Sequence, residues 1–143
     1  MAYSLKQGQS NGLIFYLHGS NDALDVCGKI APFYTSLNYD TFILDFRGYG
    51  KSDGKVSSES QLSGDIQIVY DNLKKIYPES RIIVIGQSIG TGPAVILTAN
   101  NNPKSLILQA PHYNLADWIS NLAPDIDTSG MKYQLKTYEF LKK

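Results

Sequence analysis

Ser88 stands in a setting that is typical of a nucleophilic serine. Residues 86–90 read Gly-Gln-Ser-Ile-Gly and match the G-x-S-x-G pattern, in which a serine occupies a strained turn between a strand and a helix. A serine hydroxyl attacks an acyl carbon only when a base removes its proton and hydrogen-bond donors stabilise the oxyanion. The start of a helix supplies such donors, because its first N–H groups are unpaired. We therefore predict a nucleophile at Ser88; the alternative is a helix-capping serine between two glycines that only permit close packing.

Other glycine-rich stretches do not predict nucleotide binding. The sequence GYGKS at 48–52 resembles the end of a phosphate-binding loop, but Asp45 stands where that motif requires glycine, and a carboxylate would repel a phosphate. Two possible dinucleotide fingerprints fail at Asp53 and Val95, where a third glycine is required. The His, Cys and carboxylate residues show no metal-ligand spacing either. We expect no cofactor and no metal.

The strands and helices that must position Ser88 follow an alternating pattern. Short β-rich runs at 13–17, 41–46, 81–85 and 105–109 predict four strands, the first three of them buried. Between them lie helix-like segments: residues 27–37, with a break expected at Pro32, a long amphipathic stretch from Leu62 to Ile76 that ends before Pro78, and residues 89–100. Such β-α alternation predicts an α/β fold with a parallel sheet, right-handed crossovers and helices on both faces.

The order of these strands decides what lies opposite Ser88. If the second strand lies outside the first and the third lies on the other side of the first, a crevice opens at the carboxyl ends of the strands. The loop at 18–20, which follows the first strand, then faces Ser88 across that crevice. This loop is the expected source of a second oxyanion donor.

Composition limits the classes of partner. The 143 residues suit a single domain, and 13 basic residues balance 13 acidic ones, so the charge gives no indication of a nucleic-acid partner. The lone cysteine, Cys27, forms no internal disulfide, and the N-terminal residues lack the apolar region of a signal peptide. The apolar runs are far shorter than the roughly 20 residues of a membrane span. We expect a cytoplasmic protein with no membrane span.

Three motifs together resemble one family. The sequences YLHGS (16–20), DFRGYGKSDGK (45–55) and GQSIGTGPA (86–94) are similar, in order and spacing, to the first half of an α/β-hydrolase. The nearest branch contains BEM46-like proteins, serine aminopeptidase-like hydrolases and monoacylglycerol lipases. The resemblance covers about residues 13–114, and SLILQAPHYNLADW (105–118) fits the next strand and the start of a cap. It implies one hydrolase domain over 1–143, without the last strands of the fold and with a cap-like region from about residue 111.

The resemblance also implies roles for individual residues. Ser88 would be the nucleophile of a hydrolase that cleaves an ester, thioester or amide of a small acyl substrate through an acyl-enzyme. The backbone N–H groups of Ser20 and Ile89 would form the oxyanion hole. The remaining motif residues would be structural: Gly86, Gln87 and Gly90 in the turn itself, His18 and Gly19 in the facing loop, and Asp45, Arg47, Gly48, Gly50 and Ser52 in the turn after the second strand.

The acid and the base of a triad are not evident. In this family the serine is followed by the acid and then by the histidine, whereas His112 precedes Asp117, Asp125 and Asp127. The preferred hypothesis is a serine hydrolase whose base is absent from this chain or comes from another chain. His112 could instead substitute as base, although we expect it at the pocket rim. The third hypothesis is a non-catalytic binding or assembly module.

Two structural expectations follow. Ser88 should have a sparsely populated backbone conformation with its side chain at the crevice. The leading hairpin of the family is expected to be missing or reduced to the first dozen residues, so the second and fourth strands should be exposed edges that promote self-association. The amphipathic segment at 131–143 receives no predicted position.

Overall fold

The computed structural model describes residues 2–5, 9–20, 28–131 and 133–141. Cys27 lies outside them. The strands are β1 (Ala2–Leu5), β2 (Leu13–Leu17), β3 (Asp40–Leu44), β4 (Ile82–Gln87) and β5 (Ser105–Gln109). The helices are α1 (Ala31–Ser36), α2 (Glu59–Leu73), α3 (Thr91–Ala99), α4 (Leu115–Leu122) and α5 (Thr137–Phe140).

The strands form one sheet in the order β1-β3-β2-β4-β5. Strands β3, β2, β4 and β5 are parallel, so the predicted α/β class and the predicted strand order are both confirmed. The chain reverses direction on either side of β2, which opens the expected crevice at the carboxyl ends of β2 and β4. Leu17 and Gly86, near those two ends, are register partners.

The expectation of two exposed sheet edges was wrong for β3. Strand β1 pairs with it antiparallel over its whole length, from Ala2 opposite Leu44 to Leu5 opposite Thr41. A four-residue strand near the N-terminus therefore covers that edge along Thr41–Leu44, four of the five residues of β3. Among the described strands, β5 remains at the other edge.

Helices cover both faces of the sheet, as predicted. On one face, α2 and α3 pack on alternate residues of the central strands, with Phe15, Val84 and Tyr70 in one buried cluster. On the other face, Tyr16 and Ile85 pack against Tyr34 of α1. Strand β2 is buried along its entire length, because both of its faces are covered.

The bounds of some helices differ from those predicted from the sequence. Pro32 lies in the first turn of α1 and does not break the helix, since the first turn needs no N–H from that residue. Leu37, expected on the buried stripe of this helix, lies beyond its end and is exposed. Of the amphipathic segment at 131–143, only Thr137–Phe140 is helical among the described residues. Within the described part of the chain, no helix has the length and apolar character needed to cross a membrane.

Candidate active site

Ser88 lies at the carboxyl end of β4, where the chain turns into α3. A 3-10 turn at Ser88–Gly90 joins the strand to the helix. The φ angle of Ser88 is +48°, in the left-handed region, which a non-glycine residue adopts at a cost of about 1–3 kcal/mol. The expected sparsely populated conformation is therefore present. Thr91 donates a hydrogen bond from Oγ1 to the carbonyl oxygen of Ser88 at 2.6 Å and fixes the turn.

The two glycines of the turn allow an approach that a side chain would prevent. A Cβ on Gly90 would lie 2.2 Å from the carbonyl oxygen of Leu17 at the end of β2. A Cβ on Gly86 would lie 2.7 Å from the Cβ of Ala94 in α3. The turn is thus pressed between the neighbouring strand and its own helix, so the conformation of Ser88 is fixed by packing on both sides.

A half-buried polar network holds the residue before Ser88. The hydroxyl of Tyr16, in β2, donates to Oε1 of Gln87 at 2.5 Å and lies 3.3 Å from Oε1 of Gln109 in β5. Burial raises the pKa of Tyr34, and a hydrogen bond with Gln109 partly offsets that rise. The network therefore joins three strands and α1 beneath the turn. The sequence patterns did not identify Tyr16 or Gln109, because strand register alone brings them to Gln87.

The loop after β2 is organised around a buried histidine. The ring of His18 is fully buried, and its Nε2 accepts a hydrogen bond from the backbone N–H of Phe46 at 3.4 Å. The other ring nitrogen therefore carries the proton, and Nδ1 donates to the carbonyl oxygen of Gly19 at 2.7 Å. His18 thus joins the loops after β2 and β3. Ser20, the next residue but one, is exposed.

The loop after β3 is held by its own side chains. Asp45 is buried and accepts a hydrogen bond from the backbone N–H of Lys51, while the hydroxyl of Ser52 donates to the carbonyl oxygen of Asp45. Arg47 makes two hydrogen bonds of 2.8 Å to the carboxylate of Asp65 in α2. These hydrogen bonds hold the pKa of Asp65 below its ordinary value.

His112 lies on the crevice side of the sheet, three residues beyond the end of β5. Gln109, the last residue of β5, is the register partner of Gln87. His112 therefore follows a strand end that lies beside the Ser88 turn. Its Nε2 is buried and has no hydrogen-bond partner among the described residues. Burial lowers the pKa of this imidazole, because the charged form loses solvation. The ring is therefore neutral at pH 7.

Two of the three aspartates that follow Ser88 are engaged in local hydrogen bonds. Asp117 accepts a hydrogen bond from the side-chain amide of Asn114, the residue that caps α4, and Asp127 accepts one from the backbone N–H of Ser129. Asp125 is exposed, as are the other two. Among the described residues, no hydrogen bond or ion pair joins Ser88, a histidine and one of these carboxylates. Nor do three His, Cys, Asp or Glu side chains in that part of the chain gather as metal ligands.

A cavity of about 310 Å³ lies beside the turn, on the side of the sheet that α2 and α3 cover. Ile89 lines it, together with residues of the loop after β3, of the two helices and of the segment at 133–135. Ser88 itself is not among the lining residues. The cavity was not anticipated from the sequence, because its walls come from five separate segments.

The chain is similar to known hydrolases in sequence and in structure. Residues 8–137 match the family model described as "Serine aminopeptidase, S33". Protein bem46 of Schizosaccharomyces pombe is 40% identical over 121 residues, covering 81% of this chain and 40% of that protein. Human alpha/beta hydrolase domain-containing protein 17B is 37% identical over 105 residues, covering 68% of this chain and 35% of that protein.

A solved structure agrees in fold. The alpha-beta hydrolase of Vibrio vulnificus superposes with a TM-score of 0.74 at 26% identity, over 92% of this chain and 52% of that one. The chain thus spans 40% or less of the length of the two curated relatives. Because the family model matches most of the sequence and the parallel sheet matches the solved fold, the chain belongs to the serine aminopeptidase family of α/β-hydrolases.

Proposed function

We propose that Ser88 is the nucleophile of a serine hydrolase that cleaves an ester, thioester or amide. The observation that carries the proposal is the φ of +48° at Ser88, held between β4 and α3 by close contacts on two sides. Strain of this kind persists only where the surrounding structure enforces it, and it is common at active sites. Family membership supports hydrolysis as the class of reaction.

The reaction would proceed through an acyl-enzyme. Oγ of Ser88 bonds to the carbonyl carbon as its proton passes to a base, and the carbonyl electrons move to oxygen. The N–H groups of Ile89 and Ser20 are the proposed donors to that oxyanion. The leaving alcohol, thiol or amine departs with a proton, and water then releases the acid and frees Ser88.

The base of this reaction is proposed to come from outside the described residues. His18 is buried between two loops with Nε2 accepting from a backbone N–H, so it is already used in structure. His112 is neutral, but no hydrogen bond joins it to Ser88 or to a carboxylate among the described residues. The same observation favours the second candidate function, a binding module that keeps the fold without the chemistry.

Hydrolysis of nitrophenyl acetate separates the two functions. An activated ester such as nitrophenyl acetate can acylate a serine slowly even without the base, because its leaving group departs without needing a proton. We expect slow turnover that Ser88→Ala abolishes and that His112→Ala leaves unchanged within about twofold. Equal rates for the parent and Ser88→Ala would instead support the binding module. A loss in His112→Ala would identify that residue as the base.

A further inference from the structure

The segment at 133–137 contributes a wall of the cavity without belonging to the sheet. We call these residues the strap. Tyr133 and Leu135 line the cavity, and the hydroxyl of Tyr133 donates to the carbonyl oxygen of Val56 at 2.8 Å. No described strand includes the strap, so its backbone N–H groups need partners from elsewhere. Those partners determine how firmly this wall of the cavity is held.

A single carboxylate holds the backbone of the strap. Oε1 of Glu59, in the first turn of α2, accepts hydrogen bonds from the backbone N–H groups of Gln134 and Leu135. Hydrogen bonds to a charged acceptor are about twice as strong as those between neutral groups. Loss of this carboxylate would leave two neighbouring N–H groups of the strap without their acceptor.

Leu135 is buried apart from the main core. Its side chain belongs to neither of the two core clusters that cover the sheet. Its φ angle is +44°, in the left-handed region that is uncommon for a residue with a side chain. Such a conformation persists only where its surroundings enforce it. Release of the strap would therefore relieve the backbone of Leu135 and leave both core clusters packed.

The seat of Leu135 on α3 exists because residue 92 is a glycine. A Cβ on Gly92 would lie 3.0 Å from the Cβ of Leu135 and 3.2 Å from its Cδ2. Contacts this close are rare, so a side chain at residue 92 would push Leu135 away from the helix. The strap is therefore held from two sides, by a charged acceptor on α2 and by a close fit on α3.

Two further hydrogen bonds of the strap join neutral groups. The carbonyl oxygen of Gln134 accepts from the backbone N–H of Leu115 at 2.7 Å, and the N–H of Thr137 donates to the carbonyl oxygen of Leu135 at 2.8 Å. Neither of these two N–H groups donates to Glu59. They therefore report on the position of the strap independently of that carboxylate.

We propose that the strap is a movable wall of the cavity that Glu59 holds closed, and that it opens as a unit while the sheet stays folded. The carboxylate supplies the charged acceptor and Gly92 supplies the seat, so loss of either one favours the open state. Regions with few core contacts open locally, below the free energy of global unfolding. This movement would occur whether or not Ser88 is a nucleophile.

Hydrogen exchange of backbone amides tests the role of Glu59. In Glu59→Ala, exchange at Leu115 and Thr137 should accelerate by about tenfold or more, while the amides of β4 stay within about twofold of the parent. Glu139→Ala is the matched control, because it removes an exposed carboxylate from the same part of the chain. Exchange at the two reporting amides should not change in that control.

A second variant displaces the strap from the other side and leaves Glu59 intact. Gly92→Ala should accelerate exchange at the same two amides by about tenfold or more. The amides of β4 should not accelerate, since alanine favours the helical conformation of α3. Gly64→Ala is the matched control, because it makes the same change in α2, where no atom lies within 4 Å of a Cβ.

Three results would overturn the movable wall. Unchanged exchange at Leu115 and Thr137 in Glu59→Ala would remove Glu59 as the group that holds the strap closed, and unchanged exchange in Gly92→Ala would remove the seat. Equal acceleration in the strap and in β4 would show that the two unfold together. Glu59→Gln, which keeps a neutral acceptor, should give a smaller acceleration and replaces Glu59→Ala if that variant fails to fold by circular dichroism.

Discussion

The turn that carries Ser88 and the segment that follows β5 are neighbours at one sheet edge, but they are built differently. Ser88 has a left-handed backbone, two flanking glycines that are closely packed and a half-buried hydrogen-bond network at Gln87. The segment from Ala110 to Asp127 has carboxylates engaged in local turns and a histidine whose Nε2 is without a partner among the described residues. The comparison teaches that the proposed nucleophile is positioned by core packing, whereas a proposed acid or base would need contacts that the described residues do not make.

The largest expected effect is on stability and comes from filling the contact at Gly90. Gly90→Ala puts a methyl group 2.2 Å from a backbone oxygen, so the turn or β2 must move, at a cost of about 3 kcal/mol in the free energy of unfolding. Gly64→Ala is the control, since nothing lies within 4 Å of a Cβ there and the helix gains about 0.5–1 kcal/mol. Urea unfolding measures both. Equal stabilities for the two variants would show that the turn is not fixed by packing.

A smaller effect is expected at the network beneath the turn. Tyr16→Phe keeps the buried ring but removes the donor to the half-buried Gln87, at a cost of about 1 kcal/mol. If Gln87 positions Ser88, ester turnover should fall about tenfold with KM unchanged. Tyr39→Phe, which loses a hydrogen bond from Lys104 at the surface, should change stability by less than about 0.5 kcal/mol. Equal losses of stability in Tyr16→Phe and Tyr39→Phe would show that the hydrogen bond to Gln87 does not stabilise the turn.

The smallest effect concerns His112 and its pH dependence. Burial lowers the pKa of this imidazole from 6.5, so the unfolded state binds the proton more tightly than the folded state. The contribution of His112 to the free energy of unfolding is therefore fully present above pH 6.5. It declines as the pH falls below 6.5, until the imidazole is protonated in the folded state too. The free energy of unfolding of the parent minus that of His112→Gln should therefore decrease as the pH falls below 6.5. If the free energy of unfolding of the parent minus that of the variant instead increases on acidification, a carboxylate pairs with His112.

The fold was largely predictable because its strands are buried on both faces or bounded by strong breakers. The bounds of β2 and β5 agree with the apolar runs LIFYL and SLILQ, and α2 ends before Pro78 as expected. Strand β1 lies within the first dozen residues, where a reduced hairpin was left open, but its position was not predicted, because four residues without a periodic pattern carry too little signal. Pro32 was misassigned since the sequence does not show where the first turn of α1 begins.

The candidate site was predictable only where its structure depends on residues that are close to Ser88 in the sequence. The flanking glycines predicted the turn and its strained backbone, since both follow from neighbours within two residues of Ser88. The hydrogen bond from Tyr16 to Gln87 spans 71 positions and depends on strand register. The cavity depends on the segment at 133–135, where the backbone N–H of Gln134 donates to Glu59 across 75 positions. Contacts at such separations follow from the assembled sheet and not from a local pattern.

Covalent labelling tests the central claim, that Ser88 is the nucleophile, most directly. The protein is incubated with a fluorophosphonate, which bonds to activated serine hydroxyls, and the labelled peptide is identified by mass spectrometry. The account predicts one modification per chain, at Ser88, that is absent from Ser88→Ala and unaffected by Ser20→Ala, because only the backbone N–H of Ser20 is proposed to act. Labelling at another serine, or none in folded protein, would contradict it.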